Sequence, residues 1–179
     1  PPVIVSDDDV TGGGTSTVEV SLDTMPWLAD HCFYRQPDAG LGSDMQERFP
    51  VVPMTEMIEL MRTAATQRFP GAVAVAVSGV RALRWLPAAP PTMVTVSVGD
   101  LVDGQVKVAL EGFARCSVHC APQYPDPEPG YAEPPRASET RPLTLDITVD
   151  DVYDGRMMFH GPSYQGITAL TGLTTSTIS

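Results

Sequence analysis

Basic side chains are scarce in this sequence and never clustered. Eleven Lys and Arg stand against 22 Asp and Glu, for a formal net charge of -11. Nucleic-acid phosphates are gripped by a basic face, so nucleic acid is excluded as a partner class; the acidity reads as a means of solubility. No apolar run approaches the roughly 20 residues of a membrane-spanning helix. No signal peptide precedes the first strand pattern, and a cytoplasmic protein with no membrane partner is expected. The three cysteines, Cys32, Cys116 and Cys120, do not make an even-numbered secreted framework. Cys116-x-x-x-Cys120 encloses His119, but no second ligand pair follows to complete a metal site, so reduced thiols are expected. Aromatic residues make up only 7% against 42% hydrophobic overall. With Val, Ala, Thr and Pro plentiful, that balance favours short strands over helical bundles.

Residues 1 to 14 end in Thr11-Gly12-Gly13-Gly14 and read as a flexible lead. Pro1-Pro2 opens the chain without Met, as expected of a piece of a longer polypeptide. Thr17 to Leu22 alternates, with Val18, Val20 and Leu22 on one face, the pattern of a half-buried strand. Residues 35 to 50 are rich in turn formers and read as an irregular loop. Met54 to Phe69 is the one convincing helix. Met54, Met57, Ile58, Met61, Ala64 and Ala65 recur at helical spacing, and Pro70-Gly71 closes it. Thr55 or a neighbour is expected to cap its start, with Glu56 and Glu59 near the positive end of the dipole.

Strands are expected over 72–77, 80–86 and 93–98, and from Gln105 to Phe113 running on towards His119, with Asp103-Gly104 as a hairpin turn. Ala72 to Val77 is apolar on both faces, which predicts a central strand. One long helix wrapped by an antiparallel sheet of about five strands is an α+β arrangement. Seven prolines between 121 and 142 mark an extended linker. Leu143, Leu145, Ile147 and Val149 alternate again and predict a strand, with no second helix after it. The expected organisation is therefore a unit over 15–120, a linker over 121–142 and an incomplete second unit over 143–179.

Two motifs stand out. Leu28-Ala29-Asp30-His31 precedes Phe49-Pro50-Val51-Val52-Pro53-Met54-Thr55, which opens the helix. Far downstream lies Phe159-His160-Gly161-Pro162-Ser163-Tyr164-Gln165-Gly166. Imidazole titrates near neutral pH, so His31 is a candidate base. A helix N-terminus has unpaired N–H groups and a positive dipole end, so the backbone from Val52 to Thr55 could polarise a carbonyl oxygen. Pro53 suits a helix's first turn, where no donor is needed. His160 reads either as a channel-lining residue or as a strand-end hydrogen-bonding group. His119 reads as a surface residue, Tyr164 and Gln165 as anchors of their turn, and Asp150, Asp151 and Asp154 as solvated turn residues.

In their order, these motifs resemble the dehydratase domains of type I polyketide synthases. In that family the first half carries the base as His, three residues, Gly, four residues, Pro, and the second opens with a Gly-Tyr-x-Tyr-Gly-Pro-x-Phe turn. Asp30-His31 and Val52-Pro53-Met54-Thr55 match the two ends of the first pattern, and Gly161-Pro162-Ser163-Tyr164-Gln165-Gly166 looks like the second. The chain departs from the family in three places. Pro53 follows His31 by 22 positions, an insertion that reads as a lid or as an inert loop. Arg35 stands where the glycine is expected, and Met158 and His160 stand where the tyrosines are.

The resemblance implies a double hotdog fold, a long helix wrapped by an antiparallel sheet, of which this chain carries the first half and the start of the second. It implies dehydration of a β-hydroxyacyl thioester held on an acyl carrier protein. His31 would take the α-proton, and backbone near Val52, Pro53 and Met54 would hold the thioester. His160, Gly161, Pro162 and Tyr164 would contribute to substrate binding. The family's acid is an Asp downstream of the second motif, but the last Asp here is Asp154, so the acid is expected beyond Ser179 and the isolated fragment is expected to be inactive. No metal or diffusible cofactor is implied, since the substrate arrives on the carrier's phosphopantetheine. The implied partners are that carrier and neighbouring synthase domains, with a homodimer as a further option. Two alternatives stand beside this reading: a product-template-like cyclase using the same base, and a non-catalytic dehydratase-like structural or dimerisation domain.

Overall fold

The computed structural model describes residues 5–6, 13–33, 48–126, 147–155 and 157–170. The chain divides into two compact units, Pro1–Pro125 and Asp126–Ser179. The first unit holds six antiparallel strands in one sheet: β1 (Val5–Ser6), β2 (Gly14–Val20), β3 (Val73–Ala82), β4 (Thr92–Val102), β5 (Gln105–Leu110) and β6 (Ala114–Ala121). Their order across the sheet is β1-β2-β4-β5-β6-β3. Alternation sets which side chains face the core. Val94, Val96 and Val98 of β4, Val106, Val108 and Leu110 of β5, and Ala114, Cys116 and Val118 of β6 are all buried, while the strand residues between them are half-buried or exposed.

Helix α1 (Met54–Arg68) lies against β3, β4, β5 and β6. Met57, Leu60, Met61, Ala64 and Ala65 form its buried stripe. Leu60 joins the expected face, whereas Met54 and Ile58 are only half-buried. Ala64 and Ala65 let the helix sit close to the sheet, and Cys116 Sγ meets Met61 Sδ at 3.6 Å. The expected side-chain cap is absent. The capping position is Pro53, which has no side-chain acceptor, and its carbonyl instead receives Glu56 N and Met57 N, both at 3.1 Å.

Several sequence expectations are corrected. Val5–Ser6, inside the presumed lead, pairs with Thr17 and Ser16 as a short strand. β2 ends at Val20, because Ser21 and Thr24 bond each other through backbone and hydroxyl groups and turn the chain. The two strands expected over 72–77 and 80–86 are one strand to Ala82, carried through an irregularity between Ser78 and Arg81 where Gly79 has φ +62°. β3 is also terminal in the sheet order, not central, and pairs with β6 alone among the described residues. Apolar residues on both faces report what lies above and below a strand, not how many strands flank it. The run expected from Gln105 to His119 is instead a hairpin, β5 and β6 joined by a turn at 111–113. Asp103-Gly104 is the expected hairpin turn, with φ +50° and +74°.

Within the second unit, Val149 opens a short helix, α2 (Val149–Tyr153), where a strand was expected to end. Thr148 and Asp151 cap one another there: Asp151 N donates to Thr148 Oγ1 at 3.1 Å and Thr148 N to Asp151 Oδ2 at 2.8 Å. This reciprocal box is a helix start signal, and it makes Val149 the first residue of a helix. Asp150, Asp151 and Asp154 are exposed, as expected, but they belong to this helix and its cap. Residues 143–146 of the expected strand, Arg35, most of the 35–50 loop and most of the proline-rich segment lie outside the described residues.

Candidate active site

His31 ends a 3-10 turn, Pro26–Asp30, whose Met25 and Leu28 side chains are buried. Pro26 starts the turn, and His31 N closes it on Leu28 O at 3.0 Å. His31 is 5% exposed; it and Ser21 are the buried polar side chains among the described residues. Its partner is the extended segment before α1. Val51 N donates to His31 O at 3.1 Å, and His31 Nδ1 lies 2.8 Å from Val51 O. A carbonyl oxygen can only accept, so Nδ1 carries the proton of this bond. In the neutral ring the unprotonated nitrogen is then Nε2, the atom that would act as base.

The same segment is held on its other side. Val52 N donates to Leu86 O, and Ala88 N to Pro50 O, each at 2.9 Å. Bridges Cys32–Pro50 and Val51–Pro87 make it the middle of three short extended pieces. Pro53 keeps it extended at Val52, because a residue before proline avoids the helical region. Val51, Val52, Leu86 and Ala88 are all 0–1% exposed, which locks the arrangement into the core. Only Val52 and Pro53 separate the carbonyl that holds the imidazole from the first residue of α1.

Of the predicted backbone donors, Val52 N is committed to Leu86 and Pro53 has no N–H. The groups left at the positive end of α1 are those of Met54 and Thr55, which precede the first intrahelical donor. The structure thus brings His31, Val52, Pro53 and Met54 together. The other predicted site residues lie in the second unit. Gly161 precedes a 3-10 turn, Pro162–Tyr164, with Tyr164 N on Gly161 O at 2.9 Å. His160 is half-buried beside the rings of Phe159 and Tyr164, with centroids 5.0 and 6.0 Å away. Gln165 Nε2 reaches the His160 carbonyl at 3.4 Å, a local bond that braces the turn.

Sequence reasoning missed Val51 and Leu86, which act through backbone carbonyls and so leave no side-chain signature. It also missed an aromatic group at the far end of the same three pieces. Phe33 stacks on Phe49 at 5.8 Å and meets Trp85 edge-on at 4.7 Å. Phe49 has φ +54°, a left-handed conformation costly for a bulky residue. The available signal was that each aromatic residue directly adjoins one of the paired pieces in sequence. His119, expected at the surface, is half-buried on β6, with Nε2 2.6 Å from Ser78 Oγ.

No family model matches the sequence, and no curated protein matches it. Solved structures do. A dehydratase domain of a mycocerosic acid synthase-like polyketide synthase superposes with a TM-score of 0.56 at 17% identity, over 97% of this chain and 56% of that one. A dehydratase structure from work on the borrelidin and fluvirucin polyketide synthases gives 0.54 at 24%, over 88% and 55%. The erythromycin dehydratase gives 0.51 at 20%, over 93% and 59%. The fold is the hotdog of polyketide synthase dehydratase domains. The chain spans little more than half the length of these dehydratases. None of the described helices is long and apolar enough to cross a membrane.

Proposed function

We propose that this chain supplies the base-bearing half of a dehydratase that removes water from a β-hydroxyacyl thioester. The observation that carries the reading is the His31 Nδ1–Val51 O bond of 2.8 Å, which makes Nε2 the basic nitrogen of the neutral ring. Dehydration needs a base at the α-carbon, polarisation of the thioester carbonyl and a proton for the departing hydroxyl. In this reading Nε2 takes the α-proton, and the N–H groups of Met54 and Thr55 stabilise the developing enolate oxygen. The C–O bond to the β-hydroxyl then breaks, and an acid from residues beyond Ser179 delivers the proton that makes it water. The fold shared with polyketide synthase dehydratases supports this assignment. The Gly161–Tyr164 turn, with His160, would contribute to holding the acyl chain.

The substrate in this reading arrives on the phosphopantetheine of an acyl carrier protein, and neighbouring synthase domains are the partners, in a cytoplasmic assembly. Nothing in the steps calls for a metal. The test is conversion of a β-hydroxyacyl thioester to the α,β-unsaturated product by the polypeptide extended past Ser179. His31→Ala should lower the rate by about 10²–10⁴-fold, the usual contribution of a general base. Unchanged turnover in the folded variant would sink the proposal. Cyclised product with no enoyl thioester would favour a product-template-like cyclase instead.

A further inference from the structure

The side of the sheet turned away from α1 carries a cavity of about 430 Å³ that plays no part in the chemistry above. It is lined by Ser97 and Gly99 of β4, Lys107 and Ala109 of β5, and Arg115 and Ser117 of β6, with Gly79 of β3 at its margin. The concavity has a simple cause. Gly99 sits in the irregular register between Val98 and Leu101, Gly79 in that between Ser78 and Arg81, and Ser97, Ala109 and Ser117 are the small side chains that alternate with Lys107 and Arg115 between them. A side chain at position 99 would bring its Cβ to 3.3 Å from Lys107 O, so the floor stays open.

Its charge runs against that of the whole chain. The formal net charge is -11, and Lys107 is the sole lysine, yet Lys107 and Arg115 line the cavity and Arg81 lies beside Arg115 on the next strand. Lys107 pairs with Ser117, which puts Arg115 on the neighbouring diagonal, about 7–8 Å away along the ladder. Arg81 lies directly across from Arg115, a like-charge pair that a sheet tolerates poorly. None of the three is in an ion pair with a described carboxylate. One carboxylate touches the lining: Glu111 Oε1 accepts from Ser97 Oγ at 2.5 Å. Lys107 and Arg115 are exposed, and Ser117, directly across from Lys107, adds a hydroxyl to the lining.

We propose that this cavity binds a phosphoryl group, either free phosphate or a small phosphomonoester. A guanidinium fork and an ammonium on one diagonal suit the several oxygens of a dianion, and the anion would relieve the Arg81–Arg115 repulsion. The volume lies in the range of small-molecule sites, and the Gly-Ala-Ser floor leaves space for the body of an ester. The proposal does not rest on the dehydratase reading.

The test is calorimetric titration of the full chain with inorganic phosphate and, separately, with glycerol 3-phosphate, against chloride at matched ionic strength. Saturable one-to-one binding is expected. It should weaken at least about tenfold in Lys107→Gln/Arg115→Gln, with severalfold loss in Lys107→Gln alone. Arg62→Gln, which removes the α1 arginine paired with Glu59 at 2.6 Å, should bind as the parent does. Tighter binding of the ester assigns the whole cavity to a phosphomonoester; equal binding assigns it to the free anion. Without ligand, the thermal midpoint of Arg115→Gln should equal or exceed the parent's, so lost binding would not reflect unfolding. No saturation beyond chloride, or full affinity in the double variant, would overturn the proposal.

Discussion

His31 shows how a backbone carbonyl can assign a side chain's tautomer. The carbonyl of Val51 can only accept a proton, and its 2.8 Å contact with Nδ1 therefore assigns the tautomer. The histidine itself was legible in the sequence as a candidate base. Its partner was not, because a backbone carbonyl 20 residues away belongs to every residue type alike. Cys116 makes the opposite point, since burial alone sets its chemistry. Desolvation pushes its thiol up to about 11, and raises that of the more exposed Cys120 as well. In native protein at pH 8, iodoacetamide should therefore modify Cys120 faster than Cys116, whose labelling should require unfolding; peptide mass mapping reads both. Because the fold disfavours the Cys116 thiolate, its contribution to stability is intact below the ordinary thiol value of 9.0. It is lost as pH rises from there towards 11. Equal labelling rates in the native state would contradict this.

At the scale of elements, patterns that depend on immediate neighbours were readable and patterns that depend on remote ones were not. The Met-Ala stripe and Pro70-Gly71 define α1 because helical spacing is a local property. The Asp103-Gly104 turn was equally local. Both residues have positive φ, and Gly104 O receives Cys120 N at 2.7 Å. Gly104→Ala should cost about 1–2 kcal/mol, the strain of the left-handed region for a residue with a Cβ. That Cβ would also meet Cys120 O at 3.3 Å. Chemical denaturation measures the loss, and unchanged stability would count against the turn as described. The strand expected over 143–149 is the exception among local signals: the alternation was read, but the equally local Thr148–Asp151 box at its end was passed over.

Across the whole molecule, the sheet order makes a prediction about dynamics. β5 and β6 have strands on both sides, whereas β1 and β3 end the order. Native-state hydrogen exchange followed by mass spectrometry should find the slowest amides in β4, β5 and β6, and faster exchange in β1 and in the non-ladder amides of β3. Uniform protection over all six strands would argue against the sheet order.

Composition and periodicity determined the α+β class, the helix, the hairpin turn and the candidate base, because these follow from properties carried by each residue and its near neighbours. Tertiary structure alone decided that β3 is terminal and that His31 and Val51 share two hydrogen bonds. It also decided that Lys107, Arg81 and Arg115, distant in sequence, share one face of the sheet. The physical reason is common to all three. Main-chain hydrogen bonds and cross-strand register join residues without regard to their side chains, so no single stretch of sequence records which segments meet.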